Sequence, residues 1–101
     1  MTYRLTRAAE ADLIDIYIAG VQQLGPRQAD QYHARLTGAF QHLAEFPELA
    51  PRRWELDPPV RVHPVGAHIV LYQEQADGSI LIIRVRHRRE DWLTDPGDVD
   101  V

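Results

Sequence analysis

The chain has 101 residues, 45% hydrophobic and 26% charged, with no cysteine and a formal net charge of -4. That length suits one domain around one core and is too short for two, while the composition excludes disorder over most of the chain. The lack of cysteine excludes disulfide frameworks and thiolate metal sites, leaves packing to supply stability, and fits a reducing cytoplasm.

From Met1 to Arg7 there is no apolar run of the signal-peptide kind, and no stretch approaches the roughly 18 apolar residues of a membrane span. A soluble, cytoplasmic protein with no membrane partner is expected. Thr2 to Thr6 alternates weakly and predicts a short first strand, after which Thr6 is a suitable N-cap for a helix starting at Arg7. From Arg7 to Leu24, Ala9, Leu13, Ile16, Tyr17, Gly20, Val21 and Leu24 recur at three- and four-residue steps and predict one buried face. Glu10 and Asp12 suit the positive end of that helix. Gly25 breaks it, Pro26 suits the first position of the next, and a second helix is expected from Pro26 to about Phe46. Its buried face is predicted at Ala29, Tyr32, Leu36, Ala39, Phe40 and Leu43. A connection this short makes the two helices an antiparallel hairpin.

Pro47 to Pro59 holds four prolines and the cluster Arg52, Arg53, Trp54, which predicts an ordered surface loop. Three strands follow, Val60 to Val65, Ala67 to Gln75 and Ser79 to His87, with turns at Gly66 and at Asp77-Gly78. Alternation in the last strand predicts Ile83 and Val85 against the helices, and an opposite face that turns from apolar to basic toward Arg84 and Arg86. The expected architecture is α+β: a short N-terminal strand, an antiparallel helical hairpin, then antiparallel strands forming one sheet. One domain is expected over residues 1–94, with a loose acidic tail over 95–101.

Charge is segregated. From Met1 to Leu49 four arginines face six acids, from Ala50 to Arg89 seven arginines face four, and from Glu90 to Val101 five acids stand without a base. There is no lysine, and the planar arginine fork suits carboxylate and phosphate alike. Residues 1 to 89 nonetheless sum to only +1, whereas a polynucleotide-binding surface draws much of its affinity from a marked basic excess. Direct nucleic-acid binding is therefore disfavoured against protein binding. No Gly-rich phosphate loop or Ser/His/Asp pattern occurs, and His33, His42, His63 and His68 lack metal-ligand spacing. Neither a cofactor nor a metal is expected.

Four local patterns, in this order of elements, carry a resemblance. They are Tyr3-Arg4-Leu5-Thr6 with Ala8, Ala11, Asp12 and Leu13; Gly25, Gln28, Ala29 and Tyr32 opening the second helix; His68-Ile69-Val70-Leu71-Tyr72; and Ile83-Arg84-Val85-Arg86-His87-Arg88-Arg89-Glu90-Asp91-Trp92. Over roughly residues 2 to 92 the chain resembles the ParE branch of the RelE/ParE superfamily of bacterial type II toxins. The resemblance implies a toxin silenced by a cognate ParD-like antitoxin, with DNA gyrase as the target. RelE-type relatives instead cut mRNA on the ribosome, and a retained but inactive toxin that only forms the antitoxin complex is a third reading.

The candidate residues bear on that choice. RNA cleavage through a 2′-hydroxyl needs an acid, a base and cations on the phosphate. His87 could move the proton, and Arg84 with Arg61 could hold the phosphate. In the interferases the position after or near this histidine is often an aromatic hydroxyl or a lysine, but here Arg88 follows. A structural role stands beside each: His87 bonding Asp91, and Arg84 pairing with a helix acid. As target- or antitoxin-binding residues, Arg84, Arg86, Arg88, Arg89, Asp91 and Trp92 form one candidate set at the end of the last strand. Arg52, Arg53 and Trp54 form a second, of interface hot-spot types, unless Trp54 only covers an open end of the core. Ile14 and Ile18, four apart and off the main stripe, form a third, for antitoxin or self-association, unless the core stripe is wide enough to take them in.

Overall fold

A computed structural model describes residues 2–55, 57 and 59–89. Its elements are β1 (Tyr3–Leu5), α1 (Arg7–Leu24), α2 (Pro26–Glu45), β2 (Arg52–Arg53), β3 (Val60–Val65), β4 (His68–Glu74) and β5 (Ile80–His87). Both helices and the three long strands fall where periodicity puts them, to within a residue or two at the ends. The expected loop after α2 also contributes a two-residue strand, because Arg52 and Arg53 pair with Arg61 and Val60. The acidic tail, Asp91 and Trp92 lie outside the described residues.

The strands form one sheet in the order β1-β5-β4-β3-β2. Pairings β2 with β3, β3 with β4 and β4 with β5 are antiparallel, but β1 lies parallel to β5, so the sheet is mixed. A parallel neighbour needs a crossover connection. Here the helical hairpin and the rest of the sheet together form it.

Thr6 joins strand to helix. Its backbone N–H donates to the Ile82 carbonyl at 3.0 Å and continues the parallel ladder. Its hydroxyl accepts from the Ala9 N–H at 3.0 Å, as an N-cap should, and donates to the Ile83 carbonyl at 2.6 Å. A cap of this kind contributes about 1 kcal/mol, and this one also fixes the start of α1 against the middle of β5. Between the helices, Gly25 at φ 89 ends α1, its N–H reaching the Val21 carbonyl, and Pro26 starts α2. The helices then approach closely where Gly20 faces Ala29.

One face of the sheet packs on the hairpin. Leu36, Phe40, Leu43 and Ala44 of α2 and Ala9 and Leu13 of α1 meet Val65, Val70, Tyr72, Ile80, Ile82 and Val85 in one buried cluster. Leu24, expected on the buried stripe of α1, is instead 67% exposed as the last residue of the helix. Ile83 is also corrected. It belongs to a second cluster with Val60, Ile69, Leu71 and Leu81 rather than to the one beneath the helices. The cause is a bulge: Ile82 pairs with Tyr72 and Arg84 with Leu71, so Ile83 is an extra residue in β5. A bulge resets alternation, which is why Val85 faces the helices as expected while Ile82 takes the place predicted for Ile83.

The β3–β4 turn is tied to α2 through a close approach. Gly66 has φ +57, and a Cβ placed there would lie 2.8 Å from the Tyr32 ring and hydroxyl. Gly66→Ala is therefore expected to cost about 2–3 kcal/mol, the left-handed backbone accounting for about 1–2 and displacement of Tyr32 for the rest. Urea denaturation measures it, and a loss under about 0.5 kcal/mol would contradict the packing described.

Candidate functional site

The arginine-rich end of β5 is not uniformly presented. Arg84 closes on Asp12 of α1 through two parallel bonds, Nε to Oδ2 at 2.7 Å and Nη2 to Oδ1 at 2.9 Å. The same Oδ2 accepts the Val85 N–H at 2.9 Å. Both side chains are mostly buried, at 21% and 13% exposure. Of the two roles open to Arg84, the structure displays the pair with a helix acid. Such a fork holds α1 in register on β5 at the bulge, where the ladder is interrupted.

Arg61 is similarly engaged. Its Nε donates to Glu74 Oε1 at 2.7 Å and its Nη1 to the Ala50 carbonyl at 2.6 Å. Arg52 reaches the same Glu74 oxygen at 3.3 Å. The hydrogen bond from Arg61 holds the Glu74 carboxyl below its ordinary range, with the charges of Arg61 and Arg52 adding to it. Arg61 sits opposite Tyr72, whereas His87 sits opposite His68 at the other end of β4. The three residues a nuclease would need, His87, Arg84 and Arg61, thus do not converge.

His87 instead meets His68 across the ladder, with ring centroids 5.4 Å apart and nearly perpendicular. Its Nδ1 accepts the Arg89 N–H at 3.1 Å, which in the neutral ring leaves the proton on Nε2. Arg86 is half-buried and pairs with Ile69. Arg88 and Arg89 are exposed just beyond the strand, and the Arg88 N–H donates to the Ala67 carbonyl at 2.9 Å.

Sequence reasoning missed what joins this corner. The Tyr32 hydroxyl lies 2.6 Å from His68 Nδ1 and 3.2 Å from the Val65 carbonyl, and it accepts the Ala67 N–H at 3.2 Å. Burial pushes its acidity down, raising its pKa above the ordinary value, so it acts as a neutral donor. Periodicity places Tyr32 on the buried face of α2 and His68 in a strand without assigning it a side. It carries no sign that their polar atoms meet. The corner closes one end of a groove of about 460 Å³ between α1, α2 and the β4–β5 end, with Ile16, Gly20, Ala29 and Leu36 among its apolar walls.

The other two candidate sets are exposed except for Arg53, which is half-buried. Trp54 is 68% exposed and so does not cover the core. The Arg52 guanidinium lies 5.4 Å from its ring centroid, and Arg53 pairs with Glu55. Ile14 and Ile18 are 59% and 48% exposed, outside the core stripe. Among the described residues, no group of three or more His, Asp or Glu could hold a metal, and no helix is long and apolar enough to cross a membrane.

Residues 3–92 match the family model of the ParE toxin of the type II toxin-antitoxin system parDE. The chain belongs to the ParE toxin family. Toxin ParE1 of Mycobacterium tuberculosis is 33% identical over 89 residues, covering 88% of this chain and 91% of its own. Toxin ParE1 of Caulobacter vibrioides is 35% identical over 86 residues, covering 85% and 88%. A solved structure of the chromosomal ParDE system of P. aeruginosa superposes with a TM-score of 0.74 at 24% identity, covering 86% of this chain and 95% of that one, and shares the fold. The ParE family match spans all the described elements, from β1 to β5.

Two consequences for stability follow in this ParE-family fold. Asp12→Ala leaves Arg84 and the Val85 N–H without their acceptor and is expected to cost about 2–4 kcal/mol in urea denaturation. A cost below about 1 kcal/mol would mean the fork is not holding α1 to β5. For Glu74, the folded-state pKa is depressed. Its contribution is complete above the ordinary carboxylate pKa and disappears as pH falls through the depressed value. Glu74→Gln should flatten that acid limb of a stability-against-pH profile, and an unchanged limb would show that Glu74 does not supply it.

Proposed function

We propose that this toxin acts by gripping proteins, with DNA gyrase as the target and a ParD-like antitoxin as the silencer, and performs no chemistry of its own. The observation that carries this reading is the engagement of Arg84 and Arg61. The first is drawn to Asp12 on α1, the second to Glu74 and the Ala50 carbonyl. An RNA-cleaving site needs preorganised cations converging on the scissile phosphate. These two sit on separate strands, each committed to a carboxylate.

Other features agree. The net +1 over residues 1–89 is small for a polynucleotide surface. Trp54 with Arg52 against its ring is a pairing typical of protein interface anchors. The antitoxin is inferred from family membership: a toxin of a two-component system has a cognate protein that binds it.

Purified gyrase assayed for supercoiling with the toxin present is the test. The expected result is inhibition at near-stoichiometric toxin, weakened roughly tenfold or more in Trp54→Ala, with mRNA on translating ribosomes left intact. Normal supercoiling together with ribosome-dependent cuts would replace this reading with an mRNA interferase. Neither effect, in cells unharmed by the toxin alone, would leave an inactive toxin kept for antitoxin complex formation.

A further inference from the structure

Where β2 meets β3 and the end of β4 lies a pocket of about 400 Å³, with Arg52, Trp54, Pro59, Arg61, Tyr72 and Glu74 in its lining. Arg52 stands directly opposite Arg61 in the ladder, and like charges so placed destabilise a sheet unless a counter-charge sits between them. Glu74 supplies it. Its Oε1 accepts Arg61 Nε at 2.7 Å and Arg52 Nη2 at 3.3 Å. Two guanidinium charges thus share one carboxylate, and the pocket keeps one positive charge in excess.

The two arginines are engaged unequally. Arg61 has a side chain only 13% exposed and also holds the Ala50 carbonyl at 2.6 Å, so it acts as a fixed strut beneath Glu74. Arg52 is 45% exposed, makes the longer of the two bonds to Glu74, and rests its guanidinium 5.4 Å from the Trp54 ring centroid. A guanidinium has more N–H donors than that one bond uses. Stacking on the indole holds the fork in one orientation, which lowers what it loses on pairing. Phe46 and Leu49, 55% and 49% exposed, precede Trp54 in the same connection. Exposed apolar surface is therefore concentrated in the segment that carries the under-used cation.

We propose that this pocket holds the target by a single carboxylate: an acidic side chain of the target protein lies in the Arg52 fork, and an apolar side chain beside it covers the Trp54 ring. The inference rests on the reading that the toxin grips gyrase, and adds the chemistry of the group that is gripped. A nucleic-acid strand is the poorer occupant. It would bring one phosphate per nucleotide to a pocket with one charge in excess, beside the Glu74 carboxylate and the exposed acids Glu55 and Asp57 of the same connection. One carboxylate matches the excess. An apolar neighbour on the indole would shield the new ion pair from water, the setting in which an interfacial pair strengthens binding most.

The test is the affinity of purified gyrase for the full-length toxin by calorimetry, at low and high salt. Arg52→Gln should weaken binding roughly tenfold or more, and its affinity should fall less steeply with salt than that of the wild type. Arg52→Lys leaves Glu74 its counter-charge but loses the planar fork, so it should bind between the two. The Arg52 side chain is 45% exposed, and both variants should melt with the wild type, which separates a lost contact from a lost fold. If the wild-type toxin neither binds gyrase nor inhibits supercoiling, the gyrase reading fails and takes this proposal with it. If the wild type binds and both variants bind within about twofold of it, well under the cost of losing a hot spot, the proposal alone is overturned. A single-stranded RNA oligonucleotide bound by the wild type and released by Arg52→Gln would assign the pocket to nucleic acid, and overturn it too.

Discussion

One carboxylate organises the fold. Asp12 serves three donors: two guanidinium nitrogens of Arg84 and the Val85 N–H. It does so where β5 is bulged and its ladder with β4 is interrupted. The oxygen that satisfies the Val85 N–H comes from a helix instead of a strand. The helix is thereby fixed on the sheet at the point where strand pairing alone would leave slack. Thr6, one and a half turns earlier, fixes the same helix to the Ile83 carbonyl. Between these anchors α1 has little freedom to slide or rotate.

The same economy shapes the arginines. A sequence rich in arginine at the end of its last strand suggests a cationic surface, but the fold divides those side chains by depth. Arg84 is drawn inward to α1, Arg61 along the sheet to Glu74, and Arg88 and Arg89 stand at the surface past the strand. A committed guanidinium stiffens the scaffold. An exposed one can contact a partner, and the two roles are not interchangeable along one motif.

Much of the scaffold was legible because period and punctuation agreed. Thr6 before an apolar stripe, Gly25-Pro26 between two stripes, and Asp77-Gly78 between two alternating runs leave few alternatives for those elements. The parallel pairing of β1 was not legible, since three residues of weak alternation carry no information on their neighbour. Nor was the bulge: a run such as Ile80-Leu81-Ile82-Ile83 is apolar at every position, so its alternation has no phase to read. That cost the side assignment of Ile83. At the candidate sites the residue types were visible, whereas the pairing of Tyr32 with His68 depends on a sheet corner closing over a helix, and only the tertiary fold brings those atoms within 2.6 Å.

The parallel ladder also has a temporal side. Among the described strands β1 is made first and β5 last, yet they are direct neighbours, and Thr6 is bonded to a residue 77 positions later. This edge of the sheet cannot close until β5 has been made. A topology with such distant partners assembles late and slowly compared with one built from local contacts. The seat of α1, fixed through Thr6 and Asp12 to β5, is thus completed only once β5 has been made. The helical hairpin is therefore made well before β5, the strand to which Thr6 and Asp12 fix it.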